Sequence, residues 1–101
     1  MNRKPRQIPL LNFFAETLRE TLEDWPLSQA EIARRTGIPA PHLTQMKLGK
    51  RRCTPECDLR LSRFFGMPPG MWMNLQTEYE FMRAERELGA AIRREVRPCA
   101  A

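Results

Sequence analysis

Several familiar patterns are missing from this chain of 101 residues. No apolar run approaches the roughly 18 residues that a membrane-spanning helix needs, so we expect no membrane segment. The first residues, MNRKPRQIPLLNFF, lack the apolar stretch and the cleavage site of a secretory signal. The chain has one histidine, no paired carboxylates in an apolar context, no glycine-rich phosphate loop and no nucleophile motif. An enzyme is therefore not expected.

Cysteines are too few and too unevenly spaced for a disulfide framework. Cys53, Cys57 and Cys99 are an odd number, which favours a reducing cytosol over a cross-linked secreted scaffold. A zinc site would need Cys53, Cys57 and His42 to converge with a fourth ligand, and this spacing is not typical of zinc sites. We therefore expect free thiols, no metal, no cofactor and a cytoplasmic location.

Positive charge, by contrast, is concentrated in one segment. The net charge is +5, and residues 28–52 alone carry six basic residues against one glutamate, an excess equal to that net charge. The basic segment 1–9 is cancelled by the acidic segment 10–27, and residues 53–101 are neutral. A clustered excess is typical of a nucleic-acid-binding surface, although a solvated basic surface would produce the same count.

Helical spacing recurs along the whole chain, and no segment alternates polar and apolar residues as a strand does. Prolines and glycines divide the chain into five predicted helices at about 10–24, 28–35, 40–47, 54–65 and 71 into the nineties. The fold class is therefore all-α. A capping box is predicted at Ser28 and Glu31, and Thr54 before Pro55 predicts a second helix start.

A single domain is expected at this length. The predicted organisation is a flexible basic arm at 1–9, one domain at 10–96 and a tail at 97–101. The arm contains Arg3, Lys4 and Arg6. These residues suit either a contact with a nucleic acid or a solubilising tail.

Two short helices joined at Gly37 predict a helix-turn-helix at residues 28–48. A crossing of this kind needs a small residue where the helices touch, and Ala33 lies four residues before Gly37. Four apolar positions should line the inside of the motif: Ile32, Ile38, Leu43 and Met46. An ordinary corner between two helices of a bundle is the alternative, and the basic excess favours the helix-turn-helix.

The stretch LSQAEIARRTGIPAPHLTQMKLGKRR resembles the helix-turn-helix of the phage-repressor-like, or XRE/Cro, superfamily. The next stretch, TPECDLRLSRFFGMPPGMWMNLQTEYE, resembles one branch of it, the HigA-type antitoxin family. The matching features are the Gly-Lys-Arg loop at 49–51, the R-L-x-x-F-F-G segment at 60–66 and the W-x-N-L-Q block at 72–76. The resemblance covers about residues 25–97.

This resemblance implies a five-helix, phage-repressor-like domain with a long C-terminal helix. It also implies a homodimer that binds a palindromic operator and represses its own operon at the bacterial nucleoid. Many members neutralise a RelE/HigB-like toxin that cuts mRNA on the ribosome. Members often carry H-P-G-E-x-L near the first helix, where this chain has IPLLNFFAETL. A stand-alone phage- or plasmid-type repressor without a toxin shares the same DNA-facing residues and is the alternative.

The match to the superfamily places Ala40, Pro41, Thr44 and Gln45 toward the bases of the major groove. Gln45 is the best candidate reader, because its amide can bond bidentately to adenine. Ala40 and Pro41 offer only apolar contacts, as to thymine methyl groups, so we expect a larger contribution from DNA shape. Phosphate binding, which positions the protein, is predicted for Gln29, His42, Lys47, Lys50, Arg51 and Arg52.

Helices of this kind bind DNA as pairs, because one short helix reads too few bases. Dimerisation then needs a surface outside the helix-turn-helix, and the long C-terminal helix supplies an apolar stripe. The predicted interface residues are Trp72, Leu75, Tyr79, Phe81 and Met82. A role in the intramolecular core is the alternative, above all for Trp72 and Leu75.

Overall fold

The computed structural model describes residues 9–99. In this range the chain forms five α-helices and no strand, which confirms the predicted all-α class. The helices are α1 Phe13–Asp24, α2 Gln29–Thr36, α3 Ala40–Lys47, α4 Pro55–Phe65 and α5 Met71–Glu95. The basic residues of the predicted arm, Arg3, Lys4 and Arg6, lie outside the described residues. No helix between residues 9 and 99 combines the length and apolarity of a membrane span.

The first helix begins later than predicted, at Phe13 instead of about Leu10. The Asn12 side chain accepts a hydrogen bond from the backbone N–H of Ala15 at 3.1 Å, which makes Asn12 the N-cap. The prediction was early because the apolar residues Leu10 and Leu11 continue the helical spacing upstream of the cap. A short side-chain cap therefore decided the boundary against the hydrophobic pattern.

Half of the predicted capping box forms at the start of α2. The Ser28 hydroxyl accepts from the backbone N–H of Glu31 at 3.1 Å, as predicted. The Glu31 carboxylate does not complete the box within the described contacts, because it accepts hydrogen bonds from Arg34 and Arg35. These hydrogen bonds lower the pKa of Glu31 to about 2. One of the two positive charges of α2 is therefore compensated on the helix itself.

The turn between α2 and α3 requires glycine at position 37. Gly37 has a φ of 74°, in the left-handed region that side chains with a Cβ rarely adopt. A Cβ there would also lie 2.6 Å from Nη1 of Arg60. That guanidinium nitrogen donates to the carbonyl of Thr36 at 3.0 Å, so α4 caps the last turn of α2. The predicted role of Gly37 is confirmed by this geometry.

The core is built around Trp72. Its fully buried indole meets the ring of Phe14 edge-on, with centroids 6.1 Å apart, and the ring of Phe65 at 6.2 Å. The assignment of Trp72 to the dimer interface is therefore wrong, since this side chain has no exposed surface. The rest of the core comes from α1, the helix-turn-helix, α4 and the loop before α4: Leu18, Leu22, Ile32, Ala33, Ile38, Leu43, Met46, Cys53 and Leu61.

Two buried polar side chains attach α5 to the rest of the domain. The Asp58 carboxylate accepts from the backbone N–H groups of Gly70 at 2.7 Å and Met73 at 2.9 Å, and so caps the start of α5. The Gln76 amide accepts from the N–H of Cys53 at 2.6 Å and donates to the carbonyl of Cys53 at 3.0 Å. The segment before α4 is thereby bonded to α5.

Candidate nucleic-acid interface

α3 presents one face to the core and the other to solvent. Leu43 and Met46 are fully buried, which fixes the rotation of the helix about its own axis. Thr44 is half-buried on the opposite side. The exposed members of the predicted base-reading set are Ala40, Pro41 and Gln45. All four predicted readers therefore share one outer face of α3.

The start of α3 is apolar where such helices usually carry a polar cap. Pro39 is the N-cap residue and makes no side-chain cap bond. Pro41 lies within the first turn, where a backbone N–H has no intrahelical partner in any case. The first turn of the reading face can therefore contact a base edge through carbon atoms but has few donors to offer.

Gln29 connects the two helices of the motif. Its amide nitrogen donates to the hydroxyl of Thr44 at 2.8 Å, and its amide oxygen accepts from the ammonium group of Lys47 at 2.8 Å. Because the Thr44 oxygen already accepts from Gln29, its own O–H proton is directed to another acceptor. A predicted reader is thus oriented by a residue predicted to bind phosphate.

Gln45 is oriented in a similar way from the loop after α3. Nη1 of Arg51 donates to the amide oxygen of Gln45 at 3.0 Å. A carbonyl oxygen has two lone pairs, so the Gln45 oxygen can still accept from an adenine amino group while its nitrogen donates. Arg51 therefore holds the amide in position, beside its predicted role at a phosphate.

Arg52 differs from its basic neighbours, because it is bound to α5. Its guanidinium donates two hydrogen bonds to the carboxylate of Glu80, at 2.7 and 3.0 Å. These bonds hold the pKa of Glu80 below its ordinary value. Lys50, by contrast, makes no ion pair among residues 9–99. A phosphate would therefore compete with Glu80 for the Nε and Nη2 donors of Arg52, whereas Lys50 has no such pair.

The loop at 48–54, which we call the basic loop, lies beside α1 and α5. A polar cavity of about 230 Å³ is lined by four cations and one carboxylate, beside the α1 cap Asn12: Lys50, Arg51, Arg52, Arg83 and Glu80. The N-terminus of a helix carries a partial positive charge, which adds to the field of these cations. The arrangement makes this edge of the domain attractive to an anionic backbone.

His42 and the cysteines do not assemble into a metal site. His42 is half-buried and lies in the crevice between α3 and the start of α4, with Cys57 on the other wall. No group of three histidine, cysteine or acidic side chains within the described range is placed to hold a metal ion. The contact between His42 and a phosphate stays a prediction. Its position is compatible with that contact, because the crevice opens beside the basic loop.

Known proteins are similar to the chain in both sequence and structure. The chain is 32% identical over 71 residues to YddM, an uncharacterized HTH-type transcriptional regulator of Escherichia coli K12, with 70% of this chain and 76% of the relative covered. It also matches the solved structure of the Pseudomonas aeruginosa antitoxin HigA with the higBA promoter. That match has 32% identity, a TM-score of 0.78 and coverage of 86% of this chain and 96% of that one. The chain belongs to the HigA antitoxin family.

A second HigA structure extends the likeness over nearly the whole chain. An addiction module antidote protein of the HigA family from Coxiella burnetii is 29% identical, with a TM-score of 0.78 and coverage of 91% of this chain and 100% of that one. No family model matches the chain. Membership of the HigA family confirms the resemblance read from the loop, the helix end and the W-x-N-L-Q block, and it agrees with the expectation that the chain is not an enzyme.

The long helix of this HigA-family chain has two different faces. Trp72 and Phe81 are nine positions apart, which places them about half a turn from one another around α5. Leu75 and Tyr79 lie on the Trp72 side and are half-buried against the domain, whereas Phe81 is 73% exposed. The predicted interface therefore combined residues from opposite faces, and only Phe81 and Met82 of that set are exposed.

The exposed face of α5 continues beyond the residues that were predicted. Leu88 and Ile92, four residues apart, lie in line with Phe81 and are exposed. Val96, the extended C-cap residue directly after the helix, is exposed as well. The spacing was visible in the sequence, but the prediction ended at residue 82. Arg83 was missed for another reason: it lies next to the basic loop in space and about 30 residues from it in sequence. We call the surface of Phe81, Met82, Leu88, Ile92 and Val96 the distal face.

Proposed function

We propose that this chain binds a palindromic operator as a homodimer and represses its own operon, as the antitoxin of a HigBA-type toxin–antitoxin module. The observation that carries the proposal is the exposed reading face of α3, held by the core on one side and flanked by Lys47, Lys50 and Arg51. The P. aeruginosa antitoxin HigA, solved with the higBA promoter, supports it. A bacterial cytoplasmic location at the nucleoid follows from this function.

Base recognition depends on four side chains of α3 in the major groove. The Gln45 amide bonds to adenine, with its oxygen accepting from N6 and its nitrogen donating to N7. Thr44 donates its hydroxyl proton to a base acceptor, because Gln29 already donates to its oxygen. Ala40 and Pro41 contact thymine methyl groups. The operator should therefore have thymines opposite the first turn of α3.

Affinity comes from the phosphates on either side of the groove. Lys47, Lys50 and Arg51 are exposed or half-exposed beside the reading face, and each phosphate neutralised should contribute about 0.9 to the slope of log K against log salt. Gln29 and His42 are proposed as weaker phosphate contacts. Arg52 joins them through the donors that Glu80 does not occupy.

The dimer forms through the distal face. Fully burying an apolar side chain of this size stabilises an association by about 1.5–3 kcal/mol, and a two-fold interface uses each residue twice. The two α3 helices of the dimer would then enter successive major grooves, at half-sites whose centres are about 34 Å apart. Leu75 and Tyr79, half-buried at the root of α5, can add contacts only at the margin of this interface.

The toxin partner is proposed from family membership, as a RelE/HigB-like protein. A stand-alone repressor would have the same reading face, so co-expression separates the two functions. The antitoxin proposal predicts that the chain co-purifies with the product of an adjacent toxin-like reading frame and restores growth of cells that express it. A chain that binds its promoter but neither binds nor neutralises that product is a stand-alone repressor.

Fluorescence anisotropy with the chain's own promoter region tests the DNA-binding part directly. Tight binding to the promoter, weak binding to a scrambled duplex of the same composition, and a molar mass of two chains by light scattering are expected. Equal affinity for the two duplexes at every salt concentration would contradict sequence-specific repression. A monomeric mass at micromolar concentration would contradict the dimer.

A further inference from the structure

The polar cavity beside the basic loop contains a cation that has no part in the function proposed above. This cation is Arg83 of α5, which lines the cavity together with Lys50, Arg51 and Arg52. Glu80 is the one carboxylate among the described residues of the lining, so four cations against one carboxylate leave an excess of three positive charges. A cleft lined by one sign of charge focuses its field on a counter-ion, and this cleft therefore attracts an anion.

Contacts with α5 and with the cap of α1 hold the cavity in shape. The Gln76 amide bonds to the N–H of Cys53 at 2.6 Å and to its carbonyl at 3.0 Å, which joins the end of the basic loop to α5. On the other side, the Asn12 oxygen is used by the cap of α1. The Asn12 amide nitrogen is 3.4 Å from the position of a Cβ built at Gly49. That nitrogen faces the loop and is a further donor beside the cavity.

Arg83 has donors left for a ligand. Its Nε donates to the Glu87 carboxylate at 3.0 Å, and a guanidinium has five N–H donors in all. The ion pair is exposed on the helix surface, where such pairs contribute little, so an anion can compete for Arg83. Arg52 is bound more fully, because the Glu80 carboxylate accepts from both its Nε and its Nη2. Glu80 therefore weakens the attraction of the cavity for an anion, by its charge and by the donors it occupies.

Arg51 connects the cavity to the reading face of α3. The guanidinium that lines the cavity also donates to the Gln45 amide oxygen at 3.0 Å. When Gln45 lies in the major groove, the cavity is therefore within the reach of one arginine side chain from the base edges. The strands that border the groove carry a phosphate at every nucleotide. A phosphate of the DNA backbone is thus the anion brought to the cavity when α3 binds.

We propose that this cavity binds a phosphate of the DNA backbone at the edge of each half-site, with Arg83 as a phosphate-binding residue of α5 and Glu80 as the group that limits the affinity. The inference rests on the proposed binding of DNA, but it does not need sequence-specific recognition, because phosphate contacts carry no sequence information. The contact surface of each subunit then extends from the helix-turn-helix to the long helix.

Fluorescence anisotropy titrations of Arg83→Gln at several salt concentrations test the site, with the chain's own promoter region and with a scrambled duplex. We expect the slope of log K against log salt to fall by about 0.9 for each subunit bound, and to fall equally on the two duplexes. A merely structural role of Arg83 would lower the affinity and leave the slope unchanged.

Arg94→Gln is the matched control for this change. It removes the same charge from an exposed position on nearly the same side of α5, about 16 Å farther along the helix. That distance exceeds the Debye length of about 10 Å at 0.1 M salt, so the slope above this concentration should stay that of the unmodified chain. An unchanged slope in Arg83→Gln, or an equal fall in Arg94→Gln, would overturn the site.

Glu80→Gln tests the limiting carboxylate. The amide has nearly the same size without the charge, so we expect tighter binding to both duplexes, by about two- to fivefold for each subunit. Glu78→Gln removes the same charge from nearly the opposite side of α5 and should leave the affinity unchanged. Unchanged or weaker binding by Glu80→Gln would refute the limiting role.

The two duplexes separate a failure of this inference from a failure of the proposed function. Equal affinity of the unmodified chain for promoter and scrambled DNA would contradict sequence-specific repression, while the slope of Arg83→Gln would still decide the phosphate site. A clear preference for the promoter together with an unchanged slope in Arg83→Gln would leave the repressor intact and overturn the site alone. No binding to either duplex at low salt would overturn both.

Discussion

α3 and the distal half of α5 both present an exposed helix face, but the two faces differ in chemistry and in support. The polar side chains of α3 are fixed by partners on other segments: Gln29 bonds to Thr44, and Arg51 bonds to Gln45. The side chains of the distal face are apolar and remain exposed among the described residues 9–99. An ordered polar face suits reading bases, whereas an exposed apolar face suits burial against an identical helix.

The largest expected effect comes from a charge placed on the distal face. Leu88→Glu introduces a carboxylate twice in a two-fold interface and removes two buried side chains, at about 1.5–3 kcal/mol each. We expect a shift to monomer of more than a hundredfold in the dimer dissociation constant, measured by light scattering over a dilution series. Ala90→Glu adds the same charge about half a turn away from Phe81 and should stay dimeric. Equal dissociation of the two variants would contradict an interface on this face.

The turn between α2 and α3, which holds the α3 face in position, can be destabilised at Gly37. Gly37→Ala forces a Cβ into left-handed backbone, at about 1–2 kcal/mol. It also displaces Arg60 from the Thr36 carbonyl, at about 1.5–3 kcal/mol for a charged donor. Urea unfolding should show both losses.

Gly66→Ala is the matched control for this change. Its φ is 69°, and a Cβ there meets nothing within 4 Å, so only the backbone cost should appear. A free energy of unfolding that falls equally in the two variants would show that the Arg60 contact contributes nothing.

Removing the Gln45 side chain should change the DNA sequence preference of the protein more than its folding stability. Gln45→Ala is expected to cost about 1–3 kcal/mol on the cognate operator and to relax discrimination at one base pair. Anisotropy titrations against operators with single substitutions measure both effects. If the variant loses the same affinity on cognate and scrambled duplexes, Gln45 is not a base reader.

The smallest effect is expected at the residue that supports the reader. Arg51→Ala should weaken binding on all duplexes and flatten the salt slope by about one unit. Because Arg51 also orients Gln45, the double variant with Gln45→Ala should lose less than the sum of the two single losses. Arg63→Ala removes the same charge from the exposed outer side of α4 and should leave the slope unchanged. An unchanged slope in Arg51→Ala would exclude a phosphate contact.

Features that act within a few residues were predictable from the sequence. The Ser28 and Thr54 caps, the left-handed Gly37 and the five helices all follow from local bonding rules, and the structure confirms them. The start of the first helix was misplaced because a hydrophobic repeat does not show where a cap such as Asn12 interrupts it.

Contacts between distant segments were not predictable from the sequence. Gln29 and Thr44 are 15 residues apart, and Arg52 and Glu80 are 28 residues apart. No periodicity encodes such pairs. The same limitation put Trp72 in the interface, since an apolar repeat on a long helix does not reveal which face the core takes. Only the packing of α5 against Phe14 and Phe65 decides that.

The continuity of α5 has a consequence for the operator. One uninterrupted helix of 25 residues carries Trp72 in the core and Ile92 on the distal face, so the count of residues between them fixes the angle between domain and interface. Inserting one residue would turn the distal face by about 100° and move it by about 1.5 Å. In the proposed dimer, the length of α5 therefore sets the spacing between the two operator half-sites, although α5 itself contacts no base. Members of such a family could diverge in operator spacing while every reading side chain stays the same.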